Sequence, residues 1–253
     1  DQLRVQWSDP EFDTSWSPKG RPEAGRRKLE DMKTLVCDIG GTSVKILLSG
    51  ETQRRKAPSG PEMTASDMVR IVRELGGEDW SWDQIAIGYP GPVVHGRIMC
   101  EPSNLGDGWI AFDFAKAFGC PVKIVNDAAM QALGSYHGGQ MLFMGLGTGL
   151  GTAMIVNGQL QPMEAGHLPY KKGKTFEDFT GKRGYAELGK KKWKQAVLEI
   201  MAEFKRALEP DYIVIGGGNA KKFDQDELPD YCELGQNANA FTGGFRLWEQ
   251  NAE

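Results

Sequence analysis

From Thr34 onward, apolar positions recur with two periods. Thr34 to Ile39 and Ser43 to Leu48 are short, mostly apolar runs separated by Gly40-Gly41-Thr42, which predicts a hairpin over Thr34 to Leu48. Thr52 to Ala57 adds a third strand. Met68, Ile71, Val72 and Leu75 then fall at helical spacing, so a helix is predicted from Thr64 through Leu75, ending at Gly76-Gly77. Gln84 to Ile87 reads as a strand stopped by Gly88-Tyr89-Pro90-Gly91-Pro92. A short helix follows over Phe112 to Phe118, then a buried strand over Val122 to Val125 and a helix over Ala128 to Tyr136. A second hairpin covers Met141 to Val156, and a long amphipathic helix runs from about Lys190 to Leu208. Tyr212 to Ile215 is a strand that stops at Gly216-Gly217-Gly218, and Asn239 to Gln250 forms a last helix. Strands alternating with helices indicate an α/β fold.

The two hairpins resemble each other. Leu35-Val36-Cys37-Asp38-Ile39-Gly40-Gly41-Thr42 is strand, acid, glycines and hydroxyl. Leu142 to Thr152, with Gly147-Thr148-Gly149-Leu150-Gly151 at its turn, is again strand, glycine loop and hydroxyl. Each is readable as an ordinary tight hairpin. Each also suits an anion, because glycine lets backbone N–H groups approach it closely. Two such loops suggest two similar domains facing one phosphate chain, 32–137 and 138–253, with the last helix packing back on the first. Residues 1–31 are rich in Pro, Arg, Trp and acids and lack periodicity. Ser8-Asp9-Pro10-Glu11-Phe12 within them resembles a cloning linker, so this arm stays outside the fold argument.

A net charge of −4 gives no reason to expect nucleic-acid binding. No apolar run reaches membrane-spanning length. Cys37, Cys100, Cys120 and Cys232 are widely separated and lack metal-ligand spacing, which suits reduced thiols and a cytoplasmic protein. Two common phosphate loops are excluded. Gly173-Lys174-Thr175 lacks the glycine a P-loop needs at position 168, which is Leu168. Gly147 and Gly149 start a G-x-G-x-x-G that fails at Thr152.

These segments together resemble the ROK family of sugar kinases, within the actin, Hsp70 and hexokinase superfamily. Asp38-Ile39-Gly40-Gly41-Thr42 is similar to its first phosphate motif, and Gly147-Thr148-Gly149-Leu150-Gly151 to its second. Gly216-Gly217-Gly218 resembles the adenosine motif and Asn126-Asp127-Ala128 the catalytic N-D-A. Ser103-Asn104-Leu105 resembles a sugar-contacting P-N-L with serine for proline, and Glu164-Ala165-Gly166-His167 resembles E-x-G-H. The resemblance implies two RNase H-like, actin-like ATPase domains with a cleft between them. In most of the family the E-x-G-H histidine binds zinc with three cysteines. Pro121 to Tyr231 contains no cysteine, so no zinc site is expected at His167. The subgroup lacking those cysteines includes polyphosphate glucokinases, which Trp193 and the stretch from Asn237 to Glu249 also resemble.

The expected chemistry follows. Asp127 is the candidate base that takes a proton from a sugar hydroxyl, although its position also suits a helix cap. Sugar contacts are expected from Asn104, Asn126, Asp127, Glu164, His167 and Glu177; alternatives are turn roles for the asparagines and a helix-dipole role for Glu177. Donor phosphates are expected at Asp38, Gly40, Gly41, Thr42, Lys45, Gly147, Thr148, Gly149, Gly217 and Gly218, with Mg²⁺ held at Asp38. Nine cations between Lys171 and Lys194, against three acids, form either a solvated face or a track for a long polyanion. The expected activity is transfer of a phosphoryl group from polyphosphate, ATP or both to the 6-hydroxyl of glucose or a related hexose. Rival readings are an ATP-only kinase for mannose, fructose or N-acetylmannosamine, and a non-catalytic sugar sensor. Expected partners are hexose and donor, with neither nucleic acid nor membrane, and a homodimer is compatible.

Overall fold

The computed structural model describes residues 32–236 and 238–249. The N-terminal arm, 1–31, and the expected helix end at Gln250 lie outside them. The first hairpin forms as β1 (Thr34–Ile39) and β2 (Ser43–Leu48), and β3 (Arg55–Pro58) starts three residues later than expected. Then follow α1 (Ala65–Gly76), β4 (Gln84–Tyr89), a two-stranded ribbon of β5 (Val93–Val94) and β6 (Arg97–Ile98), α2 (Phe114–Phe118), β7 (Val122–Asn126) and α3 (Asp127–Ser135). The second half contains β8 (Gln140–Leu146), β9 (Leu150–Val156), β10 (Gln159–Met163), α4 (Phe176–Thr180), α5 (Lys182–Leu208), β11 (Tyr212–Gly216), β12 (Cys232–Leu234) and α6 (Asn239–Glu249).

The strands form two five-stranded sheets of one topology, ordered β3-β2-β1-β4-β7 and β10-β9-β8-β11-β12. In each, an antiparallel three-stranded meander continues into two parallel strands. The alternation in β1 explains its two faces. Leu35, Cys37 and Ile39 join the core under Met68 and Val72 of α1, while Val36 turns to Met130, Ala240 and Phe241 on the opposite face. The second sheet is covered on one side by Trp193, Val197, Ile200 and Phe204 of α5. On its other side Phe143 and Ile155 meet Ala128, Ala129 and Leu133 of α3. Helix α3 therefore packs on both sheets. Helix α6 seals it from behind at glycines: a Cβ at Gly243 would meet the Met130 carbonyl and one at Gly134 the Asn239 carbonyl, both closer than any real Cβ contact.

Several expected boundaries change, α2 among them, which begins at Phe114 rather than Phe112. Helix α5 begins at Lys182 rather than Lys190, and its kink at Gly189 (φ 74°) divides it. Helix α3 begins at Asp127 itself, because Asn126 is the capping residue. The short strands β5, β6, β10 and β12 were not expected.

Candidate active site

In a parallel sheet, loops at the carboxyl ends of strands converge on one edge. Here the loops after β1, β4, β7, β8 and β11 open onto one cavity of about 720 Å³. Asp38, Gly40, Gly41 and Lys45 line it from the first hairpin, and Gly147, Thr148 and Gly149 from the second. Asn104, Asn126, Asp127, Glu164, His167, Glu177, Gly217 and Gly218 complete the set brought together from distant parts of the chain. Thr42 does not line the cavity. It is exposed, and its carbonyl accepts the Ser59 N–H as the hairpin turns.

Asp127 sits where α3 leaves β7. The side-chain oxygen of Asn126 accepts the N–H groups of Ala128 and Ala129 at 2.8 and 3.2 Å, so the capping role falls to Asn126. Its amide donates to the Gly91 carbonyl at 3.1 Å and stands 3.5 Å from Glu164. Asn126 thus caps α3, where Asp127 sits, and joins its start to Gly91 and Glu164. One oxygen of Asp127 accepts the Ala128 N–H at 2.8 Å. Burial pushes the Asp127 carboxyl up to about 7, with the negative charges of Asp38 and Glu164 adding to the effect. Glu164 is also raised, chiefly by burial, and His167 stands 3.8 Å away with an opposing influence.

The glycines of both hairpins are close-packed. A Cβ at Gly41 would stand 2.8 Å from the Asn104 Cβ, so Asn104 rides directly on the first loop. In the second loop, the Leu146 and Gly147 carbonyls accept from Asn219, and the Thr148 carbonyl accepts the Lys182 N–H. Tying the carbonyls outward fixes the loop's orientation toward the cavity. Glu177 accepts the Leu150 N–H at 3.2 Å and lies against the Gly149 α-carbon, joining α4 to this loop. Asp38 is paired with Lys45 at 2.7 Å. Magnesium is usually held by one or two carboxylates plus substrate phosphates rather than by an all-protein cage. Asp38 fits that mode. Among the described residues no group of three or more His, Cys, Asp or Glu forms a metal cage.

Arg54, Glu101 and Gln131 also line the cavity and were missed. Gln131 was findable, since it stands one helical turn beyond Asp127. Glu101 holds the 101–110 loop by accepting the Trp109 and Ile110 N–H groups. Arg54 gave no signal beyond its charge. None of the nine cations between Lys171 and Lys194 lines the cavity. Lys171, Lys174, Arg183 and Lys194 are paired with Glu199, Glu187, Asp178 and Glu227.

Comparison with known proteins gives this arrangement relatives. A polyphosphate glucokinase of Mycobacterium tuberculosis is 29% identical over 187 residues, 66% of this chain and 67% of its own. One from Mycobacterium leprae is 28% identical over 213 residues, 74% of this chain and 64% of its own. The chain therefore spans about two thirds of the length of these relatives. Among solved structures, an inorganic polyphosphate/ATP-glucomannokinase from Arthrobacter superposes with a TM-score of 0.74 at 20% identity, covering 87% of this chain and 99% of that one. A ROK family glucokinase from Streptomyces griseus in complex with glucose and AMPPNP superposes at 0.66 with 17% identity, covering 87% and all of that chain. These superpositions establish a shared fold. The family model described as the ROK family matches residues 34–185, more than half of the sequence, and the chain belongs to the ROK family.

Proposed function

We propose that this protein is a sugar kinase that transfers a phosphoryl group to the 6-hydroxyl of glucose or a closely related hexose. The observation that carries the reading is Asp127. It is a half-buried carboxylate lining the cavity between two glycine loops, with its pKa raised into the range a general base needs. A sugar hydroxyl is a poor nucleophile at neutral pH, and Asp127 would take its proton as the phosphoryl group arrives. Glu164 accepts from one sugar hydroxyl and His167 bonds its neighbour, while Asn104 and Glu177 close the acceptor side. The Gly40-Gly41 and Thr148-Gly149 backbones and the Lys45 ammonium face the donor phosphates. Asp38 would hold Mg²⁺, which when bound neutralises phosphate charge. Closure of the two halves around the sugar would exclude water that otherwise hydrolyses the donor.

For the donor we favour inorganic polyphosphate, with ATP compatible. The relatives named polyphosphate glucokinases support this reading. So does the cavity wall: among the described residues no Phe, Tyr or Trp lines it to stack on a purine. Gly217 and Gly218 remain open to a nucleotide. One coupled assay tests the whole reading by crossing glucose, mannose, fructose and N-acetylmannosamine with ATP and polyphosphate. Glucose with polyphosphate should turn over fastest. Turnover with ATP alone would make this an ATP-dependent hexose kinase, and sugar binding without turnover would make it a sensor.

A further inference from the structure

The antiparallel pairing of β2 with β3 sets Lys45 directly opposite Lys56, and Lys45 is in turn opposite Asp38 on β1. Like charges facing each other across a strand pair are unfavourable in the empty protein. Asp38 is already paired with Lys45, and no acid compensates Lys56 among the described residues. Arg54, immediately before β3, lines the cavity and also has no acid partner among the described residues. The intervening Arg55 goes the other way. It bonds the Leu75 and Gly76 carbonyls, pairs with Asp79 and covers the Trp80 ring. Of these three successive cations, Arg55 is drawn into the fold, Arg54 lines the cavity, and Lys56 is exposed at the strand position facing Lys45.

The result is a basic row leading outward from the first glycine loop. Strands lie about 4.8 Å apart, so Lys56 stands roughly 10 Å from the strand of Asp38. β3 is the edge strand, and no further strand obstructs an anion leaving there. The lysine-rich stretch of α5 is less well placed. Its cations do not line the cavity, and several of its neighbours are neutralised by acids.

We propose that Arg54 and Lys56, with Lys45 as the inner step, form an outer anion subsite on the edge of the first sheet that holds the distal phosphates of a linear condensed phosphate. The subsite rests on the phosphoryl-transfer reading above and names where such a donor leaves the cavity. It predicts affinity that grows with chain length, because an anion held between the two glycine loops must extend past Lys45 before it meets the sheet edge.

The test compares wild type with Arg54→Gln/Lys56→Gln, using calorimetric binding of tripolyphosphate, long-chain polyphosphate and ATP across a salt series, without hexose. Both positions are exposed, and melting curves check that the variant is folded. Long-chain affinity should fall about tenfold, and the slope of log K against log salt should shrink by roughly 1.4, about 0.7 per lost phosphate contact. The preference for long chains over tripolyphosphate should shrink with it. Unchanged long-chain affinity and slope would overturn the proposal. So would an equal loss for ATP, or a loss seen only in a Lys190→Gln/Lys191→Gln/Lys192→Gln variant. A wild type that binds long chains through Arg54 and Lys56 yet phosphorylates no hexose would sink the kinase reading and leave the subsite standing.

Discussion

Asp127 begins a helix that its neighbour caps, and that division of labour leaves one carboxylate oriented but uncompensated. Replacing it with asparagine should preserve sugar binding and cost about 10²–10⁴-fold in turnover, since an amide cannot take the hydroxyl proton. Near wild-type kcat in the folded variant would refute the assignment. The raised pKa has a second consequence. The folded protein keeps the Asp127 proton up to about pH 7, whereas the unfolded chain releases it near 3.8. Between those values the folded state binds more protons, so this group's contribution to stability falls as pH rises. Asp127→Asn should therefore melt above wild type at about pH 8 and lose that advantage at about pH 4. Wild-type kcat/KM should show an acidic limb with an apparent pKa near 7. Across the cavity, Glu164→Gln and His167→Ala should each weaken hexose binding by roughly 1–3 kcal/mol, the cost of a hydroxyl left without its partner. A change confined to the donor KM would assign this loop to the other substrate.

At the scale of elements, α3 carries the proposed base and touches both sheets, so its position depends on what holds it from behind. Gly134 and Gly243 allow α3 and α6 to approach within backbone contact. Gly243→Ala should force them apart, costing about 1–3 kcal/mol as overpacking does and lowering kcat more than it raises the hexose KM. A variant with an unchanged melting temperature and kcat would show that α6 does not position Asp127. Elements with strong local signals were legible in the sequence: both glycine hairpins, the capped amphipathic α1 and β7, although β7 is a half-buried edge strand rather than the buried one its apolar run suggested. The short strands β5, β6, β10 and β12 were not, because their pairing is supplied by partners rather than by their own periodicity. The start of α5 was hidden by Gly181, Gly184 and Gly189. Gly181 offers no side-chain cap, and the kink at Gly189 breaks the apolar stripe. Most candidate site residues were readable because glycine loops and N-D-A punctuate strand ends. Arg54 was not, since it sits just before β3 in a segment without apolar periodicity.

The whole molecule is acidic, with a net charge of −4, yet its proposed donors are polyanions. Long-range attraction therefore gives the donor no help, and affinity must come from local cations, from the two glycine loops and from metal bound with the phosphates. Chelation should then stop turnover, and Mg²⁺ alone should restore it. On the proposal that Asp38 holds a cation that shares the substrate's oxygens, apo protein should bind Mg²⁺ weakly and the donor should strengthen that binding. Asp38→Asn should abolish this coupling, which calorimetry reads without turnover. His167 faces Glu164, and no cysteine occurs between Pro121 and Tyr231 to complete a thiolate site. Metal analysis of the purified protein should find no stoichiometric zinc, and EDTA should not lower its melting temperature. One zinc retained per chain, with melting that falls on chelation, would show that His167 has structural ligands of another kind.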